Sequence, residues 1–509
     1  MTAIESSAFN GCTVLHSIDI PNSVKRIGRS AFEGTKWLEN QPDGIICINN
    51  TLYKFKGEPK EETISIQEGI TFITPHAFNE CTSLINIIIS NNLTSIGAST
   101  FEDCTSLQYI DIPNSVTAIE WHAFKGCTTL QSVDIPSSVT KIGSSAFEGC
   151  TTLQSIDLPS SVTYIGQSLL KGCTSLQSID IPNSVTAIER DAFKGCTALQ
   201  SVDIPSSVIK IGSSAFEGCT TLQSIDIPSS VTYIEQSLLK GCTSLKSIDI
   251  PSSVTDIGHS AFYGCTSLQN VDIPNSVKII RPFAFHGSGL VKIVIPLSVF
   301  LIGEHAFCNT PIIEYVVDKA NRYFASFDGV LLGKDLRLND EDEIELCRLL
   351  KKFPSQKAIS SYSIDINTVR LDSCAFKGAK FLEEIVMHEN INELGDEQTF
   401  CGCTSLKEMH IPPKIKCLPP ACFAGCIALE QVFVPEREGF NVEKDSFKWC
   451  NSIKGLHFGI TKPETILVDN SAFDDDAFFK CTLFIPSGTR WAYRHHPILG
   501  KFKNIEIEK

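Results

Sequence analysis

The chain has 509 residues, 42% hydrophobic and 20% charged, enough apolar material for a packed interior. Its 43 Lys and Arg stand against 58 Asp and Glu, a formal net charge of −15, which excludes a phosphate backbone as the expected partner because that attraction needs clustered cations. No run of 18 apolar residues occurs, so the sequence holds no candidate helical membrane span.

The opening, "MTAIESSAFNGC", lacks the basic stretch and apolar core of a signal peptide. It aligns with "VTAIERDAFKGC" at 185–196, with Met1 at the Val position, so the chain starts inside a repeating unit. The expectation is a fragment or a truncated gene, with an uncapped first coil and any export signal lost upstream. Next, "TKWLENQPDGIICINNTLYKFKG" (35–57) reads as a hairpin-like insertion, with Pro42-Asp43-Gly44 as the turn between apolar runs.

A fixed interval then takes over. Cys81, Cys104, Cys127, Cys150, Cys173, Cys196, Cys219, Cys242 and Cys265 are each 23 residues apart, and Cys12 lies three such steps before Cys81. Within one unit, Leu130, Val133 and Ile135 point inward from a short strand while Ser132 and Asp134 point outward. Pro136, with no N–H to give, ends the ladder. Val139 and Ile142 form a second inward pair, Ala146 and Phe147 fill the remaining corner, and Gly149 turns the chain. A single unit cannot bury these side chains, so units must stack. The expected fold is an α/β repeat solenoid of leucine-rich type, with short parallel strands on one face and turns and short helices on the other. Residues 117–185 and 186–254 differ at eight of 69 positions, among them Trp121/Arg190, His122/Asp191 and Gly166/Glu235, the mark of an internal duplication.

A second insertion follows. "NRYFASFDGVLLGKD" (321–335) places Asp328-Gly329 as a hairpin turn, and "NDEDEIELCRLLKKF" (339–353) is expected to form an amphipathic helix with Ile344, Leu346, Leu349, Leu350 and Phe353 available for packing. The expected organisation is a solenoid over 1–315 carrying the insertion at 36–62, a second insertion over 316–360, resumed solenoid over 361–480, and a C-terminal cap over 481–509. The pair His495-His496 before Pro497 reads as a surface turn.

Among candidate functional residues, the aspartates stand out. Asp111, Asp134, Asp157, Asp180, Asp203, Asp226, Asp249 and Asp272 share one outward position on eight successive strands. Two carboxylates about 4.8 Å apart repel by about 0.9 kcal/mol even in bulk water. Beside them runs a milder column of Tyr109, Ser132, Ser155, Ser178, Ser201, Ser224, Ser247 and Asn270. The strip is either a solubilising residue copied by duplication or a ligand face, with weak cation binding expected at the aspartates. Thirteen of the 21 cysteines keep the register, the ten above with Cys403, Cys426 and Cys450, and read as free core thiols. The denser group Cys401, Cys403, Cys417, Cys422 and Cys426 invites a metal reading, but three of the five already have places in the repeat. His16, His76, His122, His259, His286 and His305 are scattered, mostly at exposed variable positions. No catalytic, cofactor-binding or metal-ligating residue is nominated, and the chain is not expected to be an enzyme.

A unit such as "SVTKIGSSAFEGCTTLQSIDLP" resembles the leucine-rich repeats of the bacterial surface-protein family typified by BspA, and the likeness runs over nearly the whole chain. The two insertions resemble that family's hairpin-like insertions, and "CTLFIPSGTRWAYRHHPILGKFKNIEIEK" resembles the closing segment of such arrays in Bacteroidetes-type bacteria. The resemblance implies a secreted or cell-surface adhesion protein that binds a protein partner, for instance a host matrix protein, or a glycan, with no cofactor. A carbohydrate-binding or architectural surface rod is one alternative. An intracellular, cytoplasmic scaffold is another, suited by the missing signal and the many thiols.

Overall fold

The computed structural model describes residues 2–338 and 344–508. Its contacts separate two compact units, Met1–Leu268 and Gln269–Lys509. Each is a coil of short parallel strands, the leucine-rich solenoid class that the 23-residue interval predicts.

In the first unit successive coils are tied together at up to three places. On the outer face, Thr63–Ser65, Asn86–Ile88 and Tyr109–Asp111 pair in parallel, and single parallel bridges join Asp111 to Asp134 and Asp134 to Asp157. On the second face, two-residue strands align in register, Ser95–Ile96 with Ala118–Ile119 and Lys141–Ile142, then Tyr164–Ile165 with Ala187–Ile188 and Lys210–Ile211. At the corner, the N–H of Phe101 donates to Ala123 O at 2.8 Å and that of Phe124 to Ala146 O at 2.8 Å. Backbone groups that one coil leaves open are thus satisfied by its neighbour. Helices are few: among the described residues the α-helices are Lys36–Glu39, Ala477–Lys480 and Arg490–His495. The back of each coil is made of turns, with Ser145 at φ +55° and Gly149 at φ +76° reversing the chain.

The inward positions are buried as their period requires. Leu130, Val139, Ala146, Phe147 and Cys150 are fully buried, and Val133 and Ile142 nearly so. Phenylalanines stack along the corner: Phe78, Phe101, Phe124 and Phe147 lie 5.3–5.4 Å apart between ring centroids. Phe353, Phe376, Phe400, Phe423, Phe447 and Phe473 repeat the stack in the second unit at 5.0–5.5 Å.

The register cysteines have a role beyond filling space. From Cys104 to Cys265 each thiol donates to the carbonyl of the corner residue one coil back, Cys127 to Phe101 O at 3.1 Å, Cys150 to Phe124 O at 3.2 Å and Cys173 to Phe147 O at 3.1 Å. Cys403, Cys426 and Cys450 do the same in the second unit. The repeated serine before Val acts alike, with Ser138 Oγ donating to Val116 O at 2.7 Å and Ser207 Oγ to Val185 O at 2.7 Å. None of the described cysteines is in a disulfide. Cys12, in the first coil, is exposed, which corrects its reading as a core thiol. Burial pushes the thiols of Cys81, Cys196, Cys265 and Cys450 up to about 12, and those of Cys127, Cys150, Cys219 and Cys242 well above their ordinary value.

Three local expectations need correction. In the first insertion Gly44–Ile48 and Thr51–Lys56 form the expected antiparallel hairpin, but it turns at Asn49-Asn50, with Asn49 at φ +52°, so Pro42-Asp43-Gly44 only leads into it. The segment expected as an amphipathic helix contains instead the strand Ile344–Lys352, paired antiparallel with Val330–Leu338 and parallel with Thr368–Leu371. Its acidic start, residues 339–343, lies outside the described residues. Leu350 and Phe353 are fully buried, as a packing role requires. Asp328-Gly329 is the hairpin turn expected, both residues having positive φ. The third correction concerns the last segment. His495 ends a helix, and His496 is a half-buried lock whose Nδ1 accepts from the N–H of Ile498 and Leu499, so its Nε2–H donates to Ile466 O at 3.0 Å. Around it, Thr482–Ile485 and Asn504–Ile507 extend the parallel sheet of Glu408–His410, Gln431–Val434 and Gly455–Phe458.

Two outcomes follow. Phe124→Ala opens a hole between two stacked rings and should cost about 3–5 kcal/mol in urea unfolding; a loss below about 1 kcal/mol would contradict the ladder. The buried thiols also set an alkaline limit. An unfolded thiol ionises near pH 8.5, while Cys81, Cys196, Cys265 and Cys450 stay protonated to about 12 and the other buried thiols shift the same way, so above pH ~9 the unfolded state holds fewer protons and stability falls as pH rises. Each thiol withdraws about 1.4 kcal/mol per pH unit. The urea midpoint should drop steeply between pH 9 and 11, and a flat profile would contradict the burial.

Candidate functional site

The outward face of the first sheet is built by the residues that alternate with its core. Ile110, Val133, Ile156, Ile179, Val202, Ile225 and Ile248 face inward and are buried. Period two therefore turns Asp111, Asp134, Asp157, Asp180, Asp203, Asp226 and Asp249 to solvent, and all seven are exposed. Parallel bridges put Asp180 beside Asp203 and Asp226 beside Asp249. Ser132, Ser155, Ser178, Ser201, Ser224 and Ser247, with Tyr109, are exposed alongside. Asp272 and Asn270 hold the same positions in the second unit and are exposed too.

Among the described residues none of these eight carboxylates is in an ion pair. The corner of the same coils is arranged differently. From Glu102 to Lys240 the residue after each corner side chain is Glu or Lys, with Lys171 and Lys194 the one like-charged step, and neighbouring coils pair: Glu102 with Lys125 at 3.1 Å, Glu148 with Lys171 at 2.9 Å, and Glu217 with both Lys194 at 3.0 Å and Lys240 at 3.1 Å. The sequence reading did not separate this neutralised column from the uniform one, although the alternation Glu102, Lys125, Glu148, Lys171 is plain at the 23-residue interval.

In the second unit the outward position changes character. His410, Phe433, His457 and Phe484 face one another across successive strands. Their rings stack at 4.3, 4.2 and 4.4 Å. His457 is held by Glu508 Oε1 at 2.7 Å from Nδ1 and by Gln431 Oε1 at 3.0 Å from Nε2.

The five-cysteine group resolves into separate places. Cys403 and Cys426 donate to Phe376 O and Phe400 O, Cys422 is fully buried, and Cys417 lies 3.9 Å from Glu443 Oε1. The group of metal-ligating atoms that does converge, among the described residues, is His305, Cys308 and Cys374, all within 4.8 Å of one another. Here the reading of the histidines is corrected. His76, His122, His286 and His305 are partly buried and only His16 and His259 are exposed; the His305 side chain is 10% exposed. The cause is that His76, His122 and His305 occupy the left-handed turn position before the corner, where the side chain folds against the coil. A hydrogen bond from Cys374, and then the Lys352 ammonium, hold the Cys308 thiol well below its ordinary range, while donating that bond pushes Cys374 up.

Residues 2–130, 94–220, 186–314 and 351–483 match the family described as the BspA type leucine-rich repeat region, in six copies. Among curated proteins there is no match. A solved leucine-rich cell surface protein of Faecalibacterium prausnitzii is similar at 27% identity, over 62% of this chain and 91% of its own, with a TM-score of 0.52. A leucine-rich repeat protein of Bacteroides ovatus is 24% identical over 77% of this chain and 88% of its own, TM-score 0.49. The pneumococcal vaccine antigen PcpA is 20% identical over 74% and 92%, TM-score 0.47. Among the described residues no helix is long and apolar enough to cross a membrane.

Proposed function

Because the chain belongs to the BspA-type leucine-rich repeat family, we propose that it is a noncatalytic binding module, secreted or displayed on a bacterial surface, that holds a host or cell-surface macromolecule on its sheet face. The observation that carries this reading is the contrast between two columns of one coil. At the corner, Glu102, Glu148 and Glu217 are each paired with a lysine of a neighbouring coil, whereas the sheet face keeps a row of carboxylates without counter-charge. Like charges in a row raise the free energy of the unliganded fold. Solubility alone is served as well by the mixed-sign pattern that the corner already uses. A uniform acidic, hydroxyl-flanked strip complements a basic segment of a protein such as a matrix component, with divalent cations as weaker occupants. Surface display is supported by the similar Faecalibacterium prausnitzii protein, itself described as a cell surface protein.

The test is binding of the full chain to immobilised matrix proteins and to glycans over a salt series, beside Asp180→Asn/Asp203→Asn. The reading predicts affinity for a basic matrix protein that falls with salt and drops at least tenfold in the double variant, whose melting temperature equals or exceeds that of the parent. Calcium should raise the melting temperature of the parent more than that of the variant. Unchanged affinity in the variant, or glycan binding indifferent to salt and to the substitutions, would contradict it.

A further inference from the structure

His305 and Cys308 lie on one turn, and Cys374 comes from a coil beyond the second insertion. The intervening coil reaches the corner as the extended end of Ile344–Lys352. It therefore supplies no left-handed turn residue at this edge, and the turns on either side of it meet. His305, at φ +55°, and Cys374, at φ +57°, occupy the same turn position in their coils. The His305 Nδ1 atom stands 3.6 Å from Cys308 Sγ and 3.2 Å from Cys374 Sγ.

Packing does not account for these two cysteines as it does for the others. The register thiols donate to a backbone carbonyl one coil back, but Cys308 sits where other coils carry the paired Lys or Glu, and Cys374 where they carry Ser, His or Asp. Both are nonetheless buried, Cys308 at 2% exposure and Cys374 at 0%. Both direct sulfur to one imidazole nitrogen.

We propose that His305, Cys308 and Cys374 form a tetrahedral site for a soft divalent cation, zinc by its donor set, that clamps together the coils flanking the second insertion. Zinc bonds of about 2.0 Å to nitrogen and about 2.3 Å to sulfur, at a tetrahedral angle, set a nitrogen-to-sulfur edge of about 3.5 Å. The two observed edges bracket that length. The other imidazole nitrogen, Nε2, lies 3.5 Å from Glu397 Oε1, so a carboxylate waits to take its proton in a hydrogen bond and leave Nδ1 as the free donor atom, the outer-shell arrangement usual for a metal-bound histidine. A cavity of about 20 Å³ adjoins the cluster, lined by His305, Cys308, Lys352 and Ser373 among others. That is room for one water, which would complete four-coordination. Lys352, nearly buried, is fixed on the carbonyls of Cys374 and Lys377. Two thiolates on a dication make a neutral centre, so this ammonium is not repelled. Binding sends the thiol protons to solvent, which makes affinity rise with pH. The clamp is independent of the sheet-face reading.

The experiment uses the full chain, purified under reducing conditions, stripped with a chelator and reloaded with zinc or cobalt(II). The expected result is one metal per chain by elemental analysis, a near-ultraviolet thiolate-to-cobalt charge-transfer band, and a higher melting temperature with zinc than without. Cys308→Ser/Cys374→Ser should lose the band and the stoichiometric metal, while Cys401→Ser keeps both. Failure of the parent chain to take up metal, which needs no variant to fold, would overturn the proposal. So would metal retained by the double variant, or a Cys308–Cys374 disulfide recovered from the protein isolated in the presence of zinc.

Discussion

Everything in this molecule depends on the coil-to-coil register. One coil has three short edges and no interior of its own, and its apolar side chains are buried only when the next coil lies over them. Backbone hydrogen bonds at the sheet, at the second face and at the corner fix the offset. With the offset fixed, any residue type that recurs in sequence becomes a column in space. The stacked phenylalanines, the thiol-to-carbonyl bonds, the paired Lys/Glu corner and the aspartate row are four consequences of that single constraint.

Much of this was legible in the sequence because the period was. Leu130, Val133, Ile135, Val139, Ile142, Ala146 and Phe147 are inward by arithmetic, and all are buried. What the sequence concealed lies where the interval breaks. The run Ile344 to Phe353 is apolar at spacings that a helix and a buried strand share, and only pairing with Val330–Leu338 decides between them. The hairpin at 44–56 offered two turn signals, Pro-Asp-Gly and Asn-Asn, and strand pairing selected the second. The convergence of His305 with Cys374 could not be counted out, since 69 residues separate them and an insertion intervenes. A signal was present even so, because both cysteines of the cluster fall off the register that thirteen others keep.

The outward residues carry the chemical identity of each unit. Carboxylates and hydroxyls line the first, and stacked His and Phe rings line the sheet of the second. Such a change costs the fold little, since outward positions do not enter the core. The near-identity of 117–185 and 186–254 shows how length was gained. The substitutions that separate the copies include outward and turn positions such as Trp121/Arg190 and His122/Asp191.

The central claim is that equivalent residues of successive coils line up at one strand spacing. Distance measurement between spin labels on genetically encoded ketone side chains at Ser132 and Ser247, five coils apart within the first unit, tests it without disturbing the native thiols. At about 4.8 Å per coil the account predicts a narrow distribution centred at about 24 Å. A broad distribution with no peak in that region would contradict it.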